Sequence, residues 1–271
     1  MSFADRATLA PTAQSEERTG MPQFENGTTT IHYEEHGSGF PLLLFAPGAM
    51  NSTVERWAAA TLNPLEVLGE GFRMIAMDQR NAGRSRGPLD VEDPWGSFAA
   101  DQLGLLDHLG VEECHVMGCC IGGSYALRLI ELAPARVSAA VLEQPIGVMD
   151  RNRHLFEALW RDWGEDLAGR RADIDASQVE QFGTRMWDGE FVVSVSRGFI
   201  SSCSTPMLVL PGIDDHHPTE TGRELAALAP RGEVFEPWKD TPEHTARGVE
   251  VVRQFLVAHT PARPGPGPVG A

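Results

Sequence analysis

The 271-residue sequence contains no run of five basic residues, no stretch of 18 apolar residues and only four cysteines. Each shortage excludes something. Surfaces for nucleic acid or anionic membrane draw on clustered Lys and Arg. Here 22 basic side chains face 38 acidic ones, for a formal charge of −16, so neither nucleic acid nor a membrane is expected as a partner. The first 20 residues carry Asp5, Arg6, Glu16, Glu17 and Arg18 and lack the apolar core of a signal peptide, which reads as a soluble cytoplasmic protein. Cys114, Cys119, Cys120 and Cys203 are too few and too unevenly spaced for a disulfide framework. Adjacent Cys119 and Cys120 also lack the separation of zinc-knuckle ligands, so no metal is implied.

What is present describes a folded chain. Hydrophobic residues make up 42% and charged residues 22%, which excludes disorder of the whole. The ends are the exception: residues 1–23 are polar without periodicity, and residues 261–271 hold four prolines and three glycines, so both are expected to be disordered. No internal repeat is found.

Between the ends, short apolar runs at 41–45, 72–77, 114–118, 138–142, 206–210 and 234–238 read as strands buried on both faces of a parallel sheet. Helical patterns separate them. Phe98, Leu105, Leu106 and Leu109 lie at roughly helical spacing, although polar Gln102 interrupts that face, and residues 124–132 read as a helix that Pro134 ends. The alternation predicts an α/β fold with right-handed crossovers. Residues 147–205 break the rhythm: they are polar and helical in pattern, with Trp160, Trp163 and Trp187, and read as a small helical cap inserted before the acid-bearing strand. The core is then 24–146 together with 206–260. The insert holds ten acidic residues against seven Arg, so most of the excess acidity lies on the core and its N-terminal approach, as a solubility feature.

The third run leads straight into Gly118-Cys119-Cys120-Ile121-Gly122-Gly123 and then a helix. A G-x-nucleophile-x-G sequence at a strand-to-helix turn is a nucleophile elbow, with Cys120 at its apex. The turn is so tight that residues two places either side must lack side chains, a need that Gly118 and Gly122 meet. A thiol so placed projects from the sheet edge at the positive end of a helix, a setting that favours thiolate. Cys119 should point into the sheet, and Cys114 and Cys203 read as core residues.

On these residues the chain resembles the α/β-hydrolases, specifically the capped branch, over residues 24–260. Three further segments carry the likeness. Tyr33-Glu34-Glu35-His36-Gly37-Ser38-Gly39-Phe40-Pro41 resembles the family's first hairpin, and Asp78-Gln79-Arg80-Asn81-Ala82-Gly83-Arg84-Ser85 matches its D-x-R-x-x-G-x-S loop. Pro211-Gly212-Ile213-Asp214-Asp215-His216-His217-Pro218 resembles the acid-bearing loop. The resemblance implies a central, mostly parallel sheet flanked by helices, and a triad in the chain order Cys120, Asp214, His244, with His244 standing before a helix over 249–258. Asp215 and Glu143 are rival acids. His216 and His217 are rival bases, read as substrate-facing or surface residues because they share a loop with the acid. The oxyanion hole is expected from the backbone N–H groups of Ile121 and Ala49. There the family's His-Gly pair is replaced by Pro47-Gly48.

The function so implied is a cofactor-independent hydrolase of an ester, thioester or lactone of a small, fairly apolar molecule, working through a thioester acyl-enzyme. Cysteine at the elbow argues against epoxide hydrolases and haloalkane dehalogenases, which need aspartate there. It resembles the dienelactone hydrolases, which are generally uncapped. Acyl transfer, or elimination or isomerisation in a biosynthetic pathway, is the alternative, and a non-catalytic binding protein the least favoured. A homodimer is left open.

Overall fold

The computed structural model describes residues 22–262. The two expected disordered ends lie almost wholly outside the described residues; Gln23 already opens the first strand. Seven strands, β1 (Gln23–Asn26), β2 (Thr29–Phe45), β3 (Glu70–Met77), β4 (Cys114–Cys119), β5 (Val137–Glu143), β6 (Met207–Leu210) and β7 (Gly232–Val234), form one sheet. Strand β4 pairs with β2 on one side and β5 on the other, then β6 and β7 follow, all parallel. The antiparallel part lies at the other edge, where β1 pairs with the start of β2.

Strand β2 bends at Gly37 and Gly39, both at positive φ. Before the bend its register with β3 is antiparallel, Tyr33 opposite Met77 through Gly37 opposite Arg73; beyond it Phe40 faces Phe72 and the partners advance together to Leu44 and Ala76. A Cβ on Gly39 would lie 2.0 Å from the Gly71 carbonyl oxygen, so only glycine fits this fold-back.

Helices α1 (Pro64–Val67), α2 (Pro94–His108), α3 (Ile121–Leu132), α4 (Arg153–Arg170), α5 (Ala176–Trp187), α6 (Arg197–Ser202), α7 (Thr219–Leu228) and α8 (Pro242–Ala258) complete the described chain. Side chains alternate across the sheet. Leu43 and Phe45 enter one core with Phe98, Tyr125 and Leu129, while Leu42 and Leu44 enter the other with Trp57, Trp238, Val252 and Leu256. The sheet is therefore covered on both faces, which is why its strands read as unbroken apolar runs.

Two details differ from the sequence reading. The last strand is Gly232–Val234 and not 234–238, since Pro237 cannot donate to a ladder. Gln102, which interrupts the apolar face of α2, is fully buried and donates to the Gln79 side chain at 3.2 Å. That pairing offsets part of the cost of burying two amides, though Gln102 Oε1 and Gln79 Nε2 have no partner among the described residues. Helices α4, α5 and α6 all lie between β5 and β6, and an antiparallel bridge from Val148 to Phe191 ties the two ends of the α4–α5 stretch.

The loop after β3 braces the site. Asp78 is fully buried; one of its carboxylate oxygens accepts the Val54 N–H at 2.8 Å and the other the Arg84 N–H at 2.9 Å. It thereby fixes the segment that follows the turn at Gly48 and Ala49. Gly83 passes so close that a Cβ there would sit 2.4 Å from the same carboxylate.

Candidate active site

Cys120 sits between the last residue of β4 and the first of α3, with φ 59° and ψ −122°. Only close packing holds a non-glycine residue there. A Cβ on Gly118 would come 2.1 Å from the Gly122 carbonyl oxygen, and one on Gly122 would come 2.0 Å from that of Phe45. The Cys120 N–H donates to the Glu143 carbonyl at 3.0 Å, and its own carbonyl accepts from Gly123 at 3.1 Å. Among the four free cysteines Cys120 is half-buried and the rest are buried. Burial pushes the Cys114 thiol up to about 12 and, with Glu143 and Cys120 adding to it, holds Cys119 well above the ordinary thiol value. Both are inert at neutral pH.

The loop after β6 carries the carboxylate. Asp214 accepts the backbone N–H groups of His216 and His217, each at 3.0 Å, so the loop folds around its side chain. The His217 ring completes the arrangement, with Nδ1 2.8 Å from Oδ1 and 3.0 Å from Oδ2 of Asp214. Partial burial alone would raise the Asp214 carboxyl, but the His217 hydrogen bond and charge outweigh it and hold the group below the usual carboxylate value. For His217 itself burial works against the charged ring. Hydrogen bonding and charge from the Cys120 sulfur, then from Asp214, overcome that and push it up to about 9. The side chain is 13% exposed, and its Nε2 is buried with no partner of normal hydrogen-bond geometry among the described residues.

The structure thus brings Cys120, His217 and Asp214 together and leaves His244 apart. His244 does not stand before a helix but lies within the first turn of α8, where Thr241 is the N-cap and accepts the His244 N–H at 3.2 Å. Pro242 at the first helical position fixes that start. The ring of His244 is 3.9 Å from Asp240 and has no hydrogen bond to Asp214 or Cys120 among the described residues. Asp215 is exposed, and its carbonyl is held by Asn152 at 2.6 Å. His216 is half-buried, edge-on to Phe156 at 5.5 Å between centroids.

Glu143 lies under the elbow with no exposure. One carboxyl oxygen accepts the Leu62 N–H at 3.1 Å and the other has no partner among the described residues. Burial pushes it up to about 8 against the pull of the Leu62 N–H, Lys239, Cys119 and His217, so it is mostly protonated at neutral pH. Next to it, Gln144 accepts from Lys239 Nζ at 2.5 Å. The turn expected to carry the second oxyanion donor is strained: Gly48 has φ 121° and Ala49 φ 51°. The Tyr125 hydroxyl, one and a half turns beyond Cys120 on α3, donates to the Ala49 carbonyl at 3.4 Å. Tyr125, Gln144, Lys239 and Asn152 carry no pattern in the sequence. The His217 arrangement did have a signal, an Asp three residues ahead of a His in a short turn, a spacing that lets both side chains meet.

The tryptophans of the insert are mainly packing. Trp160 and Trp163 are 4% and 3% exposed, with Gly183 packed against the Trp160 ring and Phe182 5.3 Å from Trp163. Trp187 stacks on Phe156 at 5.1 Å. Among the described residues no cluster of His, Cys, Asp and Glu could hold a metal ion, and no helix is long and apolar enough to cross a membrane.

Comparison with known proteins agrees with this architecture. The chain is 33% identical over 138 residues to a 2-hydroxymuconate semialdehyde hydrolase of Pseudomonas sp. strain CF600, a match covering 49% of this chain and 45% of that protein. A second protein of that name, from Pseudomonas putida, is 27% identical over 197 residues, covering 71% and 68%. The first curated relatives are spanned over only about two fifths of their length. Among solved structures, a meta-cleavage product hydrolase from Pseudomonas fluorescens IP01 superposes with a TM-score of 0.66 at 20% identity, over 86% of this chain and 96% of that one. The family model described as alpha/beta hydrolase fold matches residues 41–195, more than half of the sequence. The chain belongs to the alpha/beta hydrolase fold family.

Proposed function

We propose that the protein hydrolyses an ester, thioester or lactone of a small, fairly apolar molecule, with Cys120 as nucleophile, His217 as proton carrier and Asp214 orienting it. The single observation that carries the reading is the half-buried Cys120 at the elbow apex with the Asp214-held His217 ring beside it. The base is His217 in this reading, in place of His244. Names of matched relatives, hydrolases acting on carbon compounds, are consistent with it.

The chemistry follows from the pairing. The thiolate of Cys120 attacks the acyl carbon while the imidazolium of His217 waits with a proton on Nε2. Charge gathering on the carbonyl oxygen is met by the N–H groups of Ile121 and Ala49, each contributing about 3 kcal/mol to the barrier reduction. His217 then protonates the leaving group and a thioester remains on Cys120. The ring, now neutral, takes a proton from water, and the resulting hydroxide-like oxygen cleaves the thioester. Asp214 keeps the other ring proton on Nδ1 throughout, so Nε2 is the atom that trades protons. The helices between β5 and β6 serve as the cap over this site.

The test is turnover of p-nitrophenyl acetate with intact-mass detection of an acetylated enzyme. Wild type should show a 42 Da adduct, roughly the mass of one acetyl group, that forms and decays and is absent from Cys120→Ala. Undiminished turnover by Cys120→Ala removes the reading. Repeating the reaction with an added amine separates hydrolysis from transfer.

A further inference from the structure

Two residues at the start of the inserted helices grip the acid-bearing loop from outside. Asn152 is 2% exposed, and every polar atom of its side chain is used. Its Nδ2 donates to the Gly147 carbonyl at 2.7 Å and to the Asp215 carbonyl at 2.6 Å, while Oδ1 accepts the Met149 N–H at 2.8 Å. Gly147, held by Asn152, in turn donates its N–H to the His216 carbonyl at 3.1 Å. The two carbonyls thus engaged, of Asp215 and His216, are the two that separate Asp214 from His217. Gly147 is closely packed, since a Cβ there would lie 2.1 Å from the Thr221 hydroxyl oxygen.

The same helices touch the other half of the site. One turn along α4 from Asn152, Phe156 lies edge-on to His216, and α4 also packs against the short turn Ala49–Asn51. In this chain both the carboxylate and the imidazole ride on a single loop, so one anchor positions both.

We propose that Asn152 is a positioning residue: it fastens the Asp214–His217 loop to the inserted helices, so that the seating of those helices sets how His217 faces Cys120. This rests on the reading of His217 as partner of Cys120. Removing the amide frees the Asp215 carbonyl and loosens Gly147, whose N–H holds the His216 carbonyl, and lets the loop drift. A displacement of about 1 Å in a reacting group costs about 100-fold in rate. The groups that face His217 are Asp214 and His216 on its own loop, Cys120 from the elbow and Glu143 from the end of β5. None of them is altered by Asn152→Ala, so a change in the titration of His217 in that variant reports its position; Asn152→Asp adds a carboxylate of its own and is read on kcat alone.

The experiment measures kcat, KM and the pH profile for p-nitrophenyl acetate in full-length wild type, Asn152→Ala, Asn152→Asp and His217→Gln. Arg151→Ala, which removes a surface pair with Glu220 and a contact with the Met149 sulfur, is the control. The inference expects both Asn152 variants to lose about 100-fold in kcat with KM within about 3-fold, and the alkaline limb of Asn152→Ala to move down from about 9 toward the ordinary histidine value, while Arg151→Ala changes neither. Asn152→Asp keeps the acceptor for Met149 and deletes the donated bonds, and it carries the test where the alanine variant does not fold. Folded Asn152 variants with unchanged kcat, alongside an inactive His217→Gln, overturn the inference alone. A fully active His217→Gln overturns it together with the proposed function.

Discussion

His217 Nδ1 lies 2.8 Å from Asp214 Oδ1, and the two residues are only three apart on one loop. Two titratable groups so close in sequence cannot be set independently. The backbone bonds from His216 and His217 to the same carboxylate make the loop itself the scaffold that fixes the ring.

The first consequence separates the two histidines. His217→Gln should lower kcat/KM for p-nitrophenyl acetate by about 100- to 10,000-fold, the usual range for losing a general acid–base group. His244→Gln, in the first turn of α8 beside Asp240, should stay within about 3-fold. The reverse ranking would return the base to His244.

Proton linkage gives the second. His217 titrates at about 9 in the folded protein and near 6.5 when free of its neighbours. In the proposed mechanism its imidazolium is the acid for the leaving group, so kcat/KM should fall as pH rises through about 9. Stability follows the same sign: the folded state holds the proton more tightly, so this contribution is complete below pH 6.5 and is lost as pH rises through about 9. Thermal melts of His217→Gln should show a flatter dependence over that window than wild type. A wild-type rate profile level to pH 10 would contradict the assignment.

Thiol accessibility supplies the third. Iodoacetamide should label Cys120 at least about tenfold faster than Cys114, Cys119 or Cys203, because those three are buried and two of them are held protonated by burial. Peptide mapping after brief labelling checks this, and equal labelling of the four would remove the case for an activated thiolate.

How far the sequence reaches can be judged residue by residue. The elbow was legible because its constraint is local: Gly118, Cys120 and Gly122 lie within five residues, and no other spacing relieves the collisions the turn creates. The sheet was legible because strands buried on both faces must be apolar throughout. The base was not. His244 stands near the chain end, close to a helix, but Thr241 and Pro242 start that helix seven residues earlier than its apolar pattern shows, and so draw His244 into it. Asn152 could not be seen either, because its partners Gly147, Met149 and Asp215 offer backbone atoms, which leave no mark in a sequence.

Glu143 provides the last prediction. A carboxyl with no exposure and one unpartnered oxygen is a cost to the fold once it ionises. Burial moves its titration from about 4.5 to about 8, so between those values the folded chain holds a proton that the unfolded chain has released. The contribution of Glu143 to stability therefore declines as pH rises from 4.5 to 8 and levels off beyond. Glu143→Gln keeps an oxygen for the Leu62 N–H and abolishes the titration. Its melting temperature should match wild type near pH 4.5 and exceed it by a few degrees at pH 8, roughly the effect of 1 kcal/mol or more in a chain of this size. A variant less stable than wild type at pH 8 would instead mean that the ionised carboxylate is held by Lys239 and His217 strongly enough to offset its burial.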